Sequence, residues 1–350
     1  MENSSLMKKS YSRYALAAAL FLIVAAAFQF FNALVLAKIL PESFANSSSF
    51  SFLNILIPEY LIGFPVLVLI TLKMDKKTPE KNKFGFGKFV LGFFMCWGVL
   101  ILGMILGTGI TWATTKPFGV NLADTNALGN LMANSKPFLR ILTVGICAPV
   151  FEELIFRKFL IDRVVKYGEW VAIITSALMF GLFHGNFSQF FYAALLGGIF
   201  AYVYIRTGKV WITIIYHMII NLSTSVITVS LLGLVDMDAV NRYAEISQQV
   251  LANPNDAALT QQMTEAMMAA SGLFLFYGWL MFEGLLGLIG IVIWIIILAK
   301  KKIKVQTTEN QVEKGMKFAW GNVGMIIFIV ATVSLFVFNY LSTILPAIQK

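Results

Sequence analysis

The sequence predicts an all-α, polytopic membrane helix bundle of about eight or nine transmembrane helices, and three observations predict it. Apolar residues make up 58% of the 350-residue chain. Charged residues are only 13%, about half the ~25% of an average soluble domain. The apolar residues also fall into blocks near the ~20 residues that a helix needs to cross the ~30 Å hydrocarbon layer. This pattern excludes a soluble enzyme, a DNA-binding module and a disordered scaffold. The formal charge of +9 comes from lysines clustered beside apolar blocks, where they act as topology determinants rather than as a nucleic-acid footprint. Cys96 and Cys147 both lie inside such blocks, so neither a disulfide framework nor a thiolate metal site is expected.

Nine stretches read as spans: Tyr14–Ala37, Ile55–Leu72, Phe89–Trp112, Phe138–Asp162, Trp170–His184, Ser188–Ile205, Val210–Leu234, Gly272–Ala299 and Trp320–Leu345. The first is too long for a signal-peptide core and has no small-residue cleavage site close behind it, so it is expected to be retained. Basic residues sort by loop. Lys8, Lys9 and Arg13 precede the first span, and Lys73, Lys76, Lys77, Lys81, Lys83 and Lys88 fill the second loop. Arg163 and Lys166 follow the fourth span, Arg206 and Lys209 the sixth, and Lys300, Lys301, Lys302, Lys304, Lys314 and Lys317 join the last two. The alternate loops are nearly free of basic residues, which places the N-terminus in the cytoplasm and, with nine spans, the C-terminus outside. Trp170–His184 is short and leaves the count between eight and nine.

Four regions follow: residues 1–136, N-terminal helices with the Lys-rich loop; 137–234, a helical core that carries the buried polar residues; 235–271, an extracytoplasmic loop; and 272–350, C-terminal helices. Within the loop, Ala239–Leu251 and Ala257–Met268 flank an Asn-Pro-Asn turn and read as two short helices.

Ionisable groups inside a spanning helix cost on the order of 2.5–3.5 kcal/mol each and mark function by default. The fourth span carries Glu152, Glu153 and Arg157; the fifth ends on Phe180-Gly-Leu-Phe-His184; the seventh holds His217-Met-Ile-Ile-Asn221. The chain has only two histidines, and both lie in these stretches. Glu153 and Arg157, at i and i+4, are placed to form an ion pair within the helix. Glu152 is rotated about 100° away and cannot share that partner in the same way. His217 and Asn221, also at i and i+4, place two donors where they can converge on one oxygen, as an oxyanion hole requires. Each feature alone has a plainer explanation as a structural pin or an interhelical hydrogen bond; acid, base and amide together are harder to explain that way. Glu283, with no partner in sight, reads as interhelical. Depth raises one conflict: Glu152 lies roughly 15 Å from the inner boundary and His217 roughly 12 Å, whereas His184, counted from Lys166, lies about 27 Å deep.

Glu152-Glu153-x-x-x-Arg157, Phe180-x-x-x-His184 and His217-x-x-x-Asn221, in this order on successive helices, resemble the CPBP family of intramembrane proteases. That family includes Rce1-type CAAX prenyl endopeptidases and bacterial Abi-type bacteriocin-processing and immunity proteins. The resemblance spans roughly Ile141–Leu222. It implies an integral protein of a bacterial cytoplasmic membrane whose partners are membrane lipid and a peptide or membrane-protein substrate, with no nucleic acid. It further implies that Glu152 and His184 activate a water, that His217 and Asn221 hold the oxyanion, and that Glu153 and Arg157 support the site. No cofactor is expected; the alternative is zinc on Glu152, His184 and His217, although HExxH is absent. The competing function is a non-catalytic immunity or scaffold protein, or a small transporter using the same buried polar cavity.

Overall fold

The computed structural model describes residues 2–125 and 127–349, which are helical with connecting turns. Seven helices among the described residues are long and apolar enough to cross a membrane. They are α1 (Glu2–Ile39), α2 (Ser48–Thr71), α3 (Phe86–Phe118), α6 (Phe187–Thr207), α7 (Val210–Leu232), α10 (Ser271–Ala299) and α11 (Val323–Ile348). Between α3 and α6 run α4, continuous over residues 137–164, and α5 (Glu169–Phe183). These two complete the nine predicted stretches but differ from the rest. α4 carries Glu152, Glu153, Arg157, Lys158, Asp162 and Arg163, and α5 is only 15 residues long. They are the helices that hold the first two motifs.

Local sequence sets the ends. Asn186 opens α6 by accepting from Gln189 N at 2.9 Å, and Gly208 closes it at φ +62°, its N–H donating to Tyr204 O at 2.7 Å. The 235–271 segment forms α8 (Met237–Ala252) and α9 (Ala257–Ala269), capped by Asp236 and Asp256. Widened, π-type turns interrupt α4 at Ile141–Cys147, just before Pro149, and again at Leu154–Phe159. Proline lacks the N–H that a regular turn needs, so the helix accommodates it by widening.

α3 packs against α6 on one side and α10 on the other; α5 lies on α6, α1 on α2 and α11, and α4 on α7. Small residues make close crossings. Gly103 and Gly107 are one helical turn apart on α3, and a Cβ at Gly103 would stand 2.3 Å from Tyr192 Cα on α6. Without a hydrophobic force between helices in lipid, such close backbone approach is a main source of association.

The basic loops gather at one end of the bundle. Lys77 pairs with Glu309 at 3.1 Å, Lys166 with Asp75, and Arg206 with Glu169. Asn82 N donates to Thr207 O and Val312 N to Tyr167 O, while Ser10 Oγ bonds Tyr167 Oη at 3.2 Å. At the opposite end Asn339 Nδ2 donates to Gly185 O and Tyr340 Oη to Thr114 O. The two chain ends thus lie at opposite ends, as an odd number of passes requires. Glu283 is buried in α10, where Trp279 of the same helix donates to Thr228 of α7 at 3.1 Å.

Candidate active site

α4 presents two adjacent carboxylates to opposite surroundings. Glu153 Oε2 lies 2.9 Å from Arg157 Nε, and neither side chain has any exposed surface. The Arg157 guanidinium stacks over Phe180 at 4.7 Å and Phe200 at 5.4 Å, and Nη1 reaches Ser176 Oγ at 3.4 Å. Ser176 in turn donates to Phe156 O at 2.9 Å. This side of the helix is sealed, with charge neutralised inside it.

Glu152, one residue earlier, has 18% of its side chain exposed. It lines a cavity of about 790 Å³ together with His184, His217 and Asn221. Three separate helical elements therefore deliver the four predicted catalytic side chains to one space, while Glu153 and Arg157 are not among its walls.

Backbone and carboxylate acceptors fix the two imidazoles. His184 Nδ1 donates to Phe180 O at 2.9 Å within its own helix end, leaving Nε2 as the free nitrogen. His217 Nδ1 donates to Glu153 Oε1 at 3.1 Å, and its Nε2 stands 3.7 Å from Glu152 Oε2. Glu153 thus holds both Arg157 and the His217 ring, a tie between α4 and α7 beyond the within-helix pairing read from sequence. The His217 ring also packs against Phe200 and Phe180, at 5.5 and 5.7 Å. Asn221 Nδ2 donates to Val144 O at 3.0 Å. An amide nitrogen has two hydrogens, so one remains for the cavity.

His184 lines this cavity beside Glu152, so the depth counted along the chain from Lys166 does not keep the two apart. Lys166 and Tyr167 are buried, and Val312 N donates to Tyr167 O. The zinc alternative names Glu152, His184 and His217 as ligands. Among the described residues no group of three or more His, Cys, Asp or Glu side chains is placed to hold a metal ion. Glu152, His184 and His217 line one space without forming a ligand set.

The walls also include residues that the motifs did not single out: Gln29, Asn54, Glu59, Tyr60, Gln189 and Tyr192. Glu59 carried a readable signal, a carboxylate inside an apolar stretch, the same test that drew attention to Glu152.

Residues 134–223 match the family model described as Type II CAAX prenyl endopeptidase Rce1-like. The chain is 23% identical over 218 residues to "Putative membrane peptidase YdiL" of Bacillus subtilis (strain 168), covering 61% of this chain and 80% of that protein. It is 27% identical over 175 residues to "Membrane-embedded CAAX protease MroQ" of Staphylococcus aureus (strain USA300), covering 46% and 68%. No solved structure matches. Over residues 134–223 the chain is similar to the Rce1-like CAAX endopeptidases, as its three motifs predict.

Proposed function

We propose that the protein is an intramembrane endopeptidase that hydrolyses a peptide bond in a membrane-associated protein or peptide. The observation that carries this reading is the shared cavity: Glu152, His184, His217 and Asn221 line it, while the other carboxylate of the same helix is sealed against Arg157. Polar helix faces turned toward one another form the kind of interior space in which water can exist at membrane depth.

In this reading Glu152, positioned with the free Nε2 of His184, takes a proton from water as its oxygen attacks the scissile carbonyl carbon. The carbonyl oxygen becomes an oxyanion and accepts from Asn221 Nδ2 and from His217 Nε2, the ring then carrying a proton on each nitrogen. Glu152 returns its proton to the amide nitrogen as the C–N bond breaks. Glu153 acts through others: it orients His217 and neutralises Arg157.

The test compares new N-termini in membrane proteomes of cells with the wild-type protein and with Glu152→Gln. Cleavage products present only with the wild type support the reading. Identical termini, with both proteins present at equal levels, contradict it. We further assign the basic end to the cytoplasmic side of a bacterial cytoplasmic membrane. Impermeant thiol labelling should then reach a cysteine at Asn255 but not one at Lys301 in intact cells.

A further inference from the structure

We infer that Glu59 sets the specificity of the cavity by receiving the cationic side chain of a Lys or Arg in the substrate peptide, a deepening of the endopeptidase reading on which it rests. Glu59 belongs to α2, outside the segment matched to the family, and reaches the same cavity as Glu152. The approach is fixed by ring packing. Tyr60 stacks on Phe151 of α4 at 4.4 Å and 12°, and Phe64 meets the same ring edge-on at 4.9 Å. Each carboxylate is therefore the immediate neighbour of one member of a stacked pair, Glu59 beside Tyr60 and Glu152 beside Phe151.

Among the described residues Glu59 has no countercharge. It takes part in no ion pair among the described residues, and its one side-chain hydrogen bond comes from Gln29 Nε2 at 3.4 Å, near the outer limit for such a bond. None of the described residues lining the cavity is Lys or Arg, since Arg157, the cation nearest in sequence to Glu152, is sealed behind Glu153. Beside Glu59 the walls add the amides Gln29 and Asn54, whose oxygens suit an ammonium or guanidinium group. A carboxylate at this depth is costly alone and favourable once a cation enters. An anionic group meets the opposite situation. A C-a-a-X peptide ends in a carboxylate, and the walls offer no Lys or Arg to hold one. The Glu59 side of the cavity therefore favours an internal basic residue near the scissile bond.

The test uses purified protein in vesicles of phosphatidylcholine and phosphatidylglycerol, so that no lipid amine competes. The probes are three amidated peptides with one apolar sequence, differing only by Lys, Met or Glu at a single position stepped along the segment. Binding is measured on Glu152→Gln and on Glu152→Gln/Glu59→Gln, and cleavage is measured separately on the wild type. At one or more positions the Lys peptide should bind at least about tenfold tighter than its Met counterpart, and that ratio should fall to about one when Glu59→Gln is added. Glu59→Gln keeps the shape of the side chain, and melting temperature checks that the fold persists. No Lys preference, a preference untouched by Glu59→Gln, or no binding of any peptide would overturn the inference. Lys preference without cleavage of any peptide would leave the Glu59 assignment standing and count against the endopeptidase reading. Cleavage without Lys preference would do the reverse.

Discussion

The two sides of α4 have opposite surroundings. One side carries Glu153 and Arg157, without exposed surface, locked to His217 and Ser176; the other turns Glu152 into a cavity of about 790 Å³. A single residue step, about 100° of helix rotation, separates the carboxylate sealed against Arg157 from the one that lines the cavity. The lesson is that an ionisable residue at membrane depth signals function only after its partner has been found. In the proposed reading the carboxylate paired with Arg157 holds the framework, and the one that lines the cavity does the chemistry.

The largest expected effect comes from breaking the sealed side. Glu153→Ala leaves the Arg157 guanidinium buried and unpaired, which should cost roughly 3–5 kcal/mol and also free the His217 ring. Thermal unfolding in detergent measures it. The double change Glu153→Ala/Arg157→Met sharpens the comparison, because removing both charges should recover much of that loss while leaving His217 unheld. Stability near wild type in Glu153→Ala alone would show that the sealed pair is dispensable.

On the open side, Asn221→Ala should lower kcat by about 10²–10³, the usual consequence of deleting one oxyanion donor. Its stability should fall by only about 0.5–1.5 kcal/mol through loss of the Val144 bond. A large stability loss with turnover intact would move Asn221 to the structural side of the comparison.

The smallest effect lies far from both, at the basic end. The Lys166 ammonium beside the exposed Asp75 carboxylate holds the latter below its ordinary range. A depressed carboxyl contributes stability that is present above its unfolded pKa of ~3.9 and is lost as pH falls through the lower folded value. Acidification below about pH 4 should therefore remove this contribution, which solvent screening limits to about 0–1 kcal/mol. Asp75→Asn should lower the melting temperature slightly at pH 7, and the difference from wild type should shrink at pH 3.

Much of this was legible in the sequence because it depends on local period. The Glu153–Arg157 pair and the different heading of Glu152 follow from 3.6 residues per turn. The gathering of basic loops follows from their alternation along the chain. What was not legible depends on how helices meet. Nothing local says that Glu153 also holds His217, 64 residues on. Nor could α2 be placed against α4 before Tyr60 was seen to stack on Phe151. Nor did the depth counted from Lys166 reveal that His184 shares a cavity with Glu152.

The most direct test of the division between the two sides is one paired measurement on Glu152→Gln, taking turnover and melting temperature from the same preparation. Gln keeps the size of the side chain and removes the base. The division predicts turnover lowered by at least about 10²–10⁴ with stability within about 0.5 kcal/mol of wild type. Turnover at the wild-type level, or a stability loss as large as that of Glu153→Ala, would contradict it.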